Sequence, residues 1–218
     1  MARTARAEKA EHPAFLSSER YPDGGRYADI LAQAAKLFAS EGFSGASMQD
    51  LATAVGISKA SLYHFFKDKE EIDSKVVIIS LDRLNWLVDD KVSRCTTAAD
   101  RIDAFCRAHA EHLASNPDLY ITAAMGYQAL TNPDVKRQAK AARFAYQDRL
   151  RTIIEAGVDS GEFRRLDVAL AARALISCLN WMARWWKPGG PDSAEQIASD
   201  YAALIIRGFL PDEAMKSE

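Results

Sequence analysis

One short stretch constrains this chain more than any other: two helix starts in quick succession, separated by a glycine. Ser47-Met48-Gln49-Asp50 is a capping box. The Ser47 hydroxyl can accept from a free amide of the first turn while the Asp50 carboxylate reaches back to the cap. It opens a short helix to about Val55. Gly56 then permits a sharp turn, because it tolerates positive φ just past a helix end. Ser58 caps the next helix, expected over 59–66, and Asp68-Lys69-Glu70-Glu71 repeats the capping pattern to start a longer one. A helix over 26–40 precedes them, with Ile30, Leu31, Ala34, Leu37 and Phe38 on one face and Gly42 as its stop. The interior of the resulting three-helix unit should be Leu37, Phe38, Leu51, Ala52, Val55, Ile57, Leu62 and Phe66.

The rest reads as a helical bundle. The helix after Asp68 is lined by Ile72, Val76, Ile79, Leu84, Leu87 and Val88 and ends near Val92. Thr97-x-x-Asp100 starts a helix that stops at Asn116, and Asn116-Pro117 and Asn132-Pro133 each set a cap before a first-turn proline. A long helix from Pro133 reaches about Gly157. Asp167 caps an apolar helix expected to end at Trp185-Trp186, and Ser193-x-x-Gln196 opens a last helix to about Leu210. With abundant Ala and Leu and no convincing strand, the fold class is all-α. An N-terminal three-helix helix-turn-helix unit precedes a C-terminal helical bundle, about nine helices in all. The boundaries are an arm over 1–25, the three-helix unit over 26–72 and the larger bundle over 73–212.

A second helix set on a glycine turn is the geometry that places a helix in a major groove while the first crosses the backbone. The expected outer face carries Lys59, Ala60, Ser61, Tyr63 and His64, with Lys67 and Lys69 following where phosphates would lie. The formal charge of −2 does not announce nucleic-acid binding, and residues 1–70 carry as many acidic as basic side chains. Affinity must therefore rest on local charge, doubled by dimerisation.

Phe38-Ala39-Ser40-Glu41-Gly42-Phe43, then Ser47 through Val55, then Gly56 through Ile72, resembles the N-terminal domain of TetR-family transcriptional regulators. The resemblance implies a homodimer, usually a repressor, that leaves a double-stranded DNA operator when a small molecule binds the C-terminal domain. On the matching positions it implies Ser47 as helix cap and phosphate contact, Gln49 near a base edge, and Ser58, Lys59 and Ser61 at the groove. Tyr63 would give its hydroxyl to a phosphate, and Lys69 would hold the DNA backbone at the following helix start. Where many members carry His before a Phe-Lys pair this chain has Phe65, with His64 one place earlier. Lys59 suits guanine O6 and N7. The arm residues Arg3, Arg6 and Lys9 are candidates for minor-groove or phosphate contacts.

Trp181-Met182-Ala183-Arg184-Trp185-Trp186-Lys187-Pro188-Gly189-Gly190 is similar to the C-terminal pattern of a TetR subgroup associated with fatty-acid or steroid catabolism, whose effectors are acyl-CoA thioesters. Such a ligand needs an apolar channel and cations for its phosphates. Trp181 and Trp185 are candidate channel walls, with Arg184 or Lys187 at the mouth; Trp86, Phe105, His109, Leu113, Tyr120, Met125, Tyr127 and Phe144 are further pocket candidates. The family resemblance assigns the last two helices to a homodimer interface, and helices this apolar need covering.

Other readings stay open at this level. Cys106, His109 and His112 recur every third residue, with Asp103 one step earlier, as a metal-responsive regulator would need. The face drifts over that span and no fourth ligand is apparent, so no metal is assigned. A helical lipid or acyl-CoA carrier without DNA binding would share the pocket and be indifferent to Lys59 and Tyr63. No Gly-rich phosphate loop, nucleophile elbow or paired His-carboxylate motif points to an enzyme or a cofactor. Three scattered cysteines and no membrane-length apolar run point to a cytoplasmic protein.

Overall fold

A computed structural model describes residues 25–211, and the arm residues Arg3, Arg6 and Lys9 lie outside that range. The described residues form nine helices and no strand: α1 (Arg26–Gly45), α2 (Met48–Val55), α3 (Lys59–Phe65), α4 (Lys69–Val92), α5 (Ala98–Ser115), α6 (Pro117–Ala129), α7 (Pro133–Asp159), α8 (Val168–Met182) and α9 (Ala194–Arg207).

The caps set these boundaries. Side-chain oxygens of Ser47, Ser58, Asp68, Thr97, Asn132, Asp167 and Ser193 each accept a first-turn amide, satisfying donors that a helix start leaves unpaired. At α5 a distant residue adds to the cap. The Glu162 carboxylate, from the turn after α7, accepts the amides of Ala98 and Ala99 at 2.8 and 2.7 Å. Close by, Phe163 lies on Gly157, where an added Cβ would come within 2.2 Å of the ring.

Three boundaries differ from expectation. Gly42 (φ 75°) breaks the helical path as expected, but helical turns resume beyond it to Gly45. The apolar helix α8 stops at Met182, short of Trp185-Trp186. The amides of Trp185 and Trp186 both donate to the Met182 carbonyl, and the Trp186 indole N–H reaches the Asp192 carbonyl at 3.3 Å. Pro188 also disfavours helix in the residue before it. The last helix ends at Arg207, because Phe209 turns inward against Phe163.

Two principal cores result. Ile30, Leu31, Phe38, Leu51, Leu62 and Phe66 fill the first, with Leu37, Val55 and Ile57 half-buried against it. The second fills the larger bundle around Ile102, Phe105, Leu150, Leu175 and Leu179. Helix α4 belongs to both, giving Ile72, Val76 and Ile79 to the first and Leu84, Leu87 and Val88 to the second. Helix α6 joins them again, where the Thr122 hydroxyl donates to the Ala35 carbonyl of α1 at 2.8 Å.

Candidate nucleic-acid interface and ligand cavity

The α2–α3 unit is built from local rules. Ser47 N–H donates to the Asp50 carboxylate at 2.9 Å and Asp50 N–H to the Ser47 hydroxyl at 3.2 Å, completing the capping box. The Ser47 hydroxyl also donates to that carboxylate, and together these bonds hold the Asp50 carboxyl below its ordinary range. Gly56 sits in the left-handed region (φ 73°, ψ 37°), with Ile57 N–H on the Ala52 carbonyl and Gly56 N–H on that of Thr53. That is a Schellman turn, which reverses the chain tightly between the two helices. Ser58 then caps α3, accepting Ser61 N–H at 3.0 Å and sharing a 2.7 Å hydroxyl contact with Ser61.

Leu62 and Phe66 anchor α3 in the core, Phe66 stacked on Tyr27 at 4.9 Å. The remaining face is open: Lys59, Ala60, Tyr63, His64 and Lys67 are exposed, as are Ser47, Gln49 and Ser58, while Ser61 is half-buried. Phe65 is also exposed and adds an apolar group that the polar reading of this face overlooked. Lys69 is half-buried at the start of α4. Its ammonium donates to the carbonyls of Phe43 at 2.6 Å and Ala46 at 2.7 Å and lies 4.2 Å above the Phe43 ring.

In the larger bundle a cavity of about 570 Å³ lies among α4, α5, α6, α7 and the C-terminal end of α8. Of the expected lining residues it brings together His109, Tyr120, Met125, Tyr127 and Arg184. The others fall elsewhere. Phe105 and Leu113 are buried in the core, on the same face of α5 as His109 but packed against neighbouring helices. Trp86, Phe144, Trp181 and Trp185 are exposed, because α4 and α7 turn the first two outward and α8 ends before Trp185. Lys187 is exposed in the following loop.

Sequence reasoning missed most of the polar wall: Ser80, His112, Gln128, Arg143, Tyr146, Gln147 and Asn180. Histidine is central to it. Tyr146 Oη and His109 Nδ1 are 2.7 Å apart, His109 Nε2 and Tyr120 Oη 3.0 Å, and the Tyr120 hydroxyl donates to Asn180 Oδ1 at 3.2 Å. With the Tyr120 proton committed to Asn180, His109 must donate from Nε2 and accept the Tyr146 proton at Nδ1. Burial lowers His109 to about 4, so the ring is neutral and the chain runs one way. His112 is lowered to about 3 by burial, then by Arg83 and His109, and pairs with the Ser80 hydroxyl at 2.9 Å. Both histidines are buried, and neither reaches the surface. Arg143 stacks on Tyr127 at 4.1 Å, and with Arg184 gives the cavity two cations.

The metal reading finds no geometry. Asp103 turns its carboxylate to Arg107 and Ser199, His109 is spent on the two tyrosines, and no group of three or more His, Cys, Asp or Glu converges among the described residues. Among the same residues no helix is long and apolar enough to cross a membrane.

Comparison with known proteins agrees at both ends. The family "Bacterial regulatory proteins, tetR family" matches residues 30–72, and "Tetracyclin repressor-like, C-terminal domain" matches residues 95–209. The chain is 32% identical over 194 residues to the HTH-type transcriptional repressor KstR2 of Mycolicibacterium smegmatis, covering 86% of this chain and 92% of that one. Among solved structures it is similar to the regulator PfmR of Thermus thermophilus, with 40% identity, a TM-score of 0.77, and coverage of 82% and 97%. It is also similar to AibR in complex with isovaleryl coenzyme A and operator DNA, with 25% identity, a TM-score of 0.72, and coverage of 82% and 97%.

Proposed function

The chain belongs to the TetR family and is a helix-turn-helix transcriptional regulator; from this premise we propose that it is a homodimeric repressor released from its operator by an acyl-CoA thioester. The family's relatives are regulators and not enzymes, and the carrier reading falls away with that membership. One observation carries the proposal: α4 is shared, packing the reading unit with its first turns and walling the cavity with Ser80, Leu81 and Leu84. A ligand that displaces α4 at the cavity moves the reading unit as well.

On this reading residues 26–72 bind DNA and residues 73–212 bind effector and partner. Ser47, Gln49, Ser58, Lys59, Ala60, Ser61, Tyr63, His64, Lys67 and Lys69 form the operator surface, with Lys59 reading guanine and Tyr63, Lys67 and Lys69 meeting phosphate. The cavity is within the range of small-molecule sites, and Arg143 and Arg184 supply charge for the phosphates of coenzyme A. The isovaleryl-CoA complex of AibR supports this ligand class, and the repressor KstR2 supports the sign of regulation. Helices α8 and α9 form the dimer face, since Leu170, Trp181 and Leu204 stand 60–68% exposed there. Two half-sites one turn apart require such a dimer. The protein acts on DNA in the cytoplasm.

Native mass spectrometry of the purified protein with a panel of acyl-CoA esters tests the ligand class, and stoichiometric binding to a dimer is expected. Lys59→Ala and Tyr63→Phe should then weaken binding to a selected operator duplex while leaving acyl-CoA binding unchanged. Operator binding indifferent to both variants would place the DNA contact elsewhere on the chain; failure of the wild type to select any duplex would return the chain to the carrier reading.

A further inference from the structure

The hydrogen-bond chain in the cavity wall decides which kinds of group a ligand meets there. The Tyr146 hydroxyl donates to His109 Nδ1 over 2.7 Å, His109 Nε2–H donates to Tyr120 Oη over 3.0 Å, and the Tyr120 hydroxyl donates to Asn180 Oδ1 over 3.2 Å. Burial keeps His109 neutral, with one ring proton, and pushes both phenols above their ordinary range, so that all three groups hold these protonation states near neutral pH. Each tyrosine and imidazole proton is therefore committed within the chain. What it leaves for a ligand is lone pairs on the two tyrosine oxygens and the N–H groups of the Asn180 amide. Tyr120, Tyr146 and Asn180 all line the cavity, beside apolar Leu81, Leu84 and Ile176.

A saturated acyl chain laid on this wall would strip water from the tyrosine oxygens and replace it with nothing, which costs free energy. A ketone gains from the Asn180 amide alone, since its lone pairs would face those of the tyrosines. A hydroxyl meets both needs: it donates to a tyrosine oxygen and accepts from the amide. We propose that the acyl group of the effector carries a hydroxyl, and that Tyr120, Tyr146 and Asn180 select it over the saturated and keto forms, with His109 as the positioning residue that sets the direction of the chain. This narrows the ligand to a hydroxyacyl thioester and rests on the acyl-CoA reading above.

Isothermal titration calorimetry of the purified protein tests it with octanoyl-CoA and its 3-hydroxy, 3-oxo, 7-hydroxy and 7-oxo derivatives, which set the oxygen near the thioester or near the far end of the chain. One hydroxy ester is expected to bind about tenfold more tightly than octanoyl-CoA and than its own keto partner, the scale of one well-made hydrogen bond against an unmet one. Tyr146→Phe removes an acceptor and should erase most of the margin over octanoyl-CoA. Asn180→Leu frees the Tyr120 proton, so the chain can reverse through His109 and let Tyr146 donate to the ligand. The margin of hydroxy over keto should then collapse. Ratios of dissociation constants, fitted with free stoichiometry, do not depend on the folded fraction, so a partly unfolded variant stays readable.

The proposal is overturned if neither hydroxy ester exceeds both octanoyl-CoA and its keto partner. Equal binding of every ester would make coenzyme A the recognised part, which keeps the acyl-CoA reading and removes this one. A hydroxyl margin that survives in both variants would overturn it too, because the group would then be read elsewhere in the cavity. Binding of none of the esters would refute the acyl-CoA reading itself, and the hydroxyl with it.

Discussion

Asp73 should make this protein less stable as pH rises through the mildly acidic range. Its side chain is buried on α4, and one carboxylate oxygen has no hydrogen-bond partner. The opposing element is α6 at Gly126, where an added Cβ would stand 3.0 Å from both carboxylate oxygens. Burial, then the charge of Glu70, pushes the carboxyl from 3.8 up to about 6, against a smaller opposing influence of Lys69. Folded chains therefore hold this proton more tightly than unfolded ones between those values. Below the window both states are protonated and the burden is absent; above it the burden is complete. At about 1.36 kcal/mol per pH unit the ceiling is near 3 kcal/mol, and allowing for solvent screening we expect about 1–2 kcal/mol. Asp73→Asn removes the titration but adds an amide with needs of its own. The informative quantity is therefore the change with pH in the stability difference between variant and wild type, in which any fixed cost of the amide cancels. Urea unfolding at about pH 4 and pH 7.5 should show the variant gaining about 1–2 kcal/mol on the wild type across that interval. A difference that is constant with pH, or that favours the variant more in acid, would refute the reasoning.

Three further outcomes are expected. Ser47→Ala removes the hydroxyl half of the capping box and should cost about 0.5–2 kcal/mol in thermal or urea unfolding, with weaker operator binding at equal folded fraction. Gly157→Ala drives a methyl to 2.2 Å from Phe163 and 2.9 Å from Ala98. Overpacking at about 1–3 kcal/mol should outweigh the roughly 1 kcal/mol helix-propensity gain and lower the melting temperature. Leu204→Glu places a charge at a side chain that is 68% exposed on α9; sedimentation should find monomer in place of dimer, and unchanged mass would place the dimer face elsewhere.

What could be read from the sequence was what is determined locally. Ser47, Gly56, Ser58 and Asp68 act on amides and carbonyls within a few residues, so the reading unit and most helix starts followed from spacing alone. The cavity depends on tertiary packing. Phe105, His109 and Leu113 share a face of α5, and sequence had no means of telling that the aromatic and the aliphatic fill the core while the histidine meets the cavity. Large apolar residues were favoured as lining, yet the wall is substantially tyrosine, histidine, amide and arginine. His112 entered only through the metal pattern, and Tyr146 carried no signal beyond its place on a long helix. Trp185 misled because its channel assumed a helix that the loop before Pro188 cuts short, and Trp181, still on α8, faces outward.

The sharing of α4 between two cores has a consequence for modularity. Ile72, the last residue of the family match to the reading unit, is followed by Val76 and Ile79, which finish the packing of the first core. A reading head excised or transplanted at that residue would leave Ile30, Leu31 and Phe38 facing water on one side. Exchange of operator specificity between scaffolds of this architecture therefore has a natural seam about two helical turns later, after Ile79 and before the cavity wall begins at Ser80. Hybrids joined at that seam carry Val76 and Ile79 along with the rest of the first core; hybrids joined at Ile72 leave them behind.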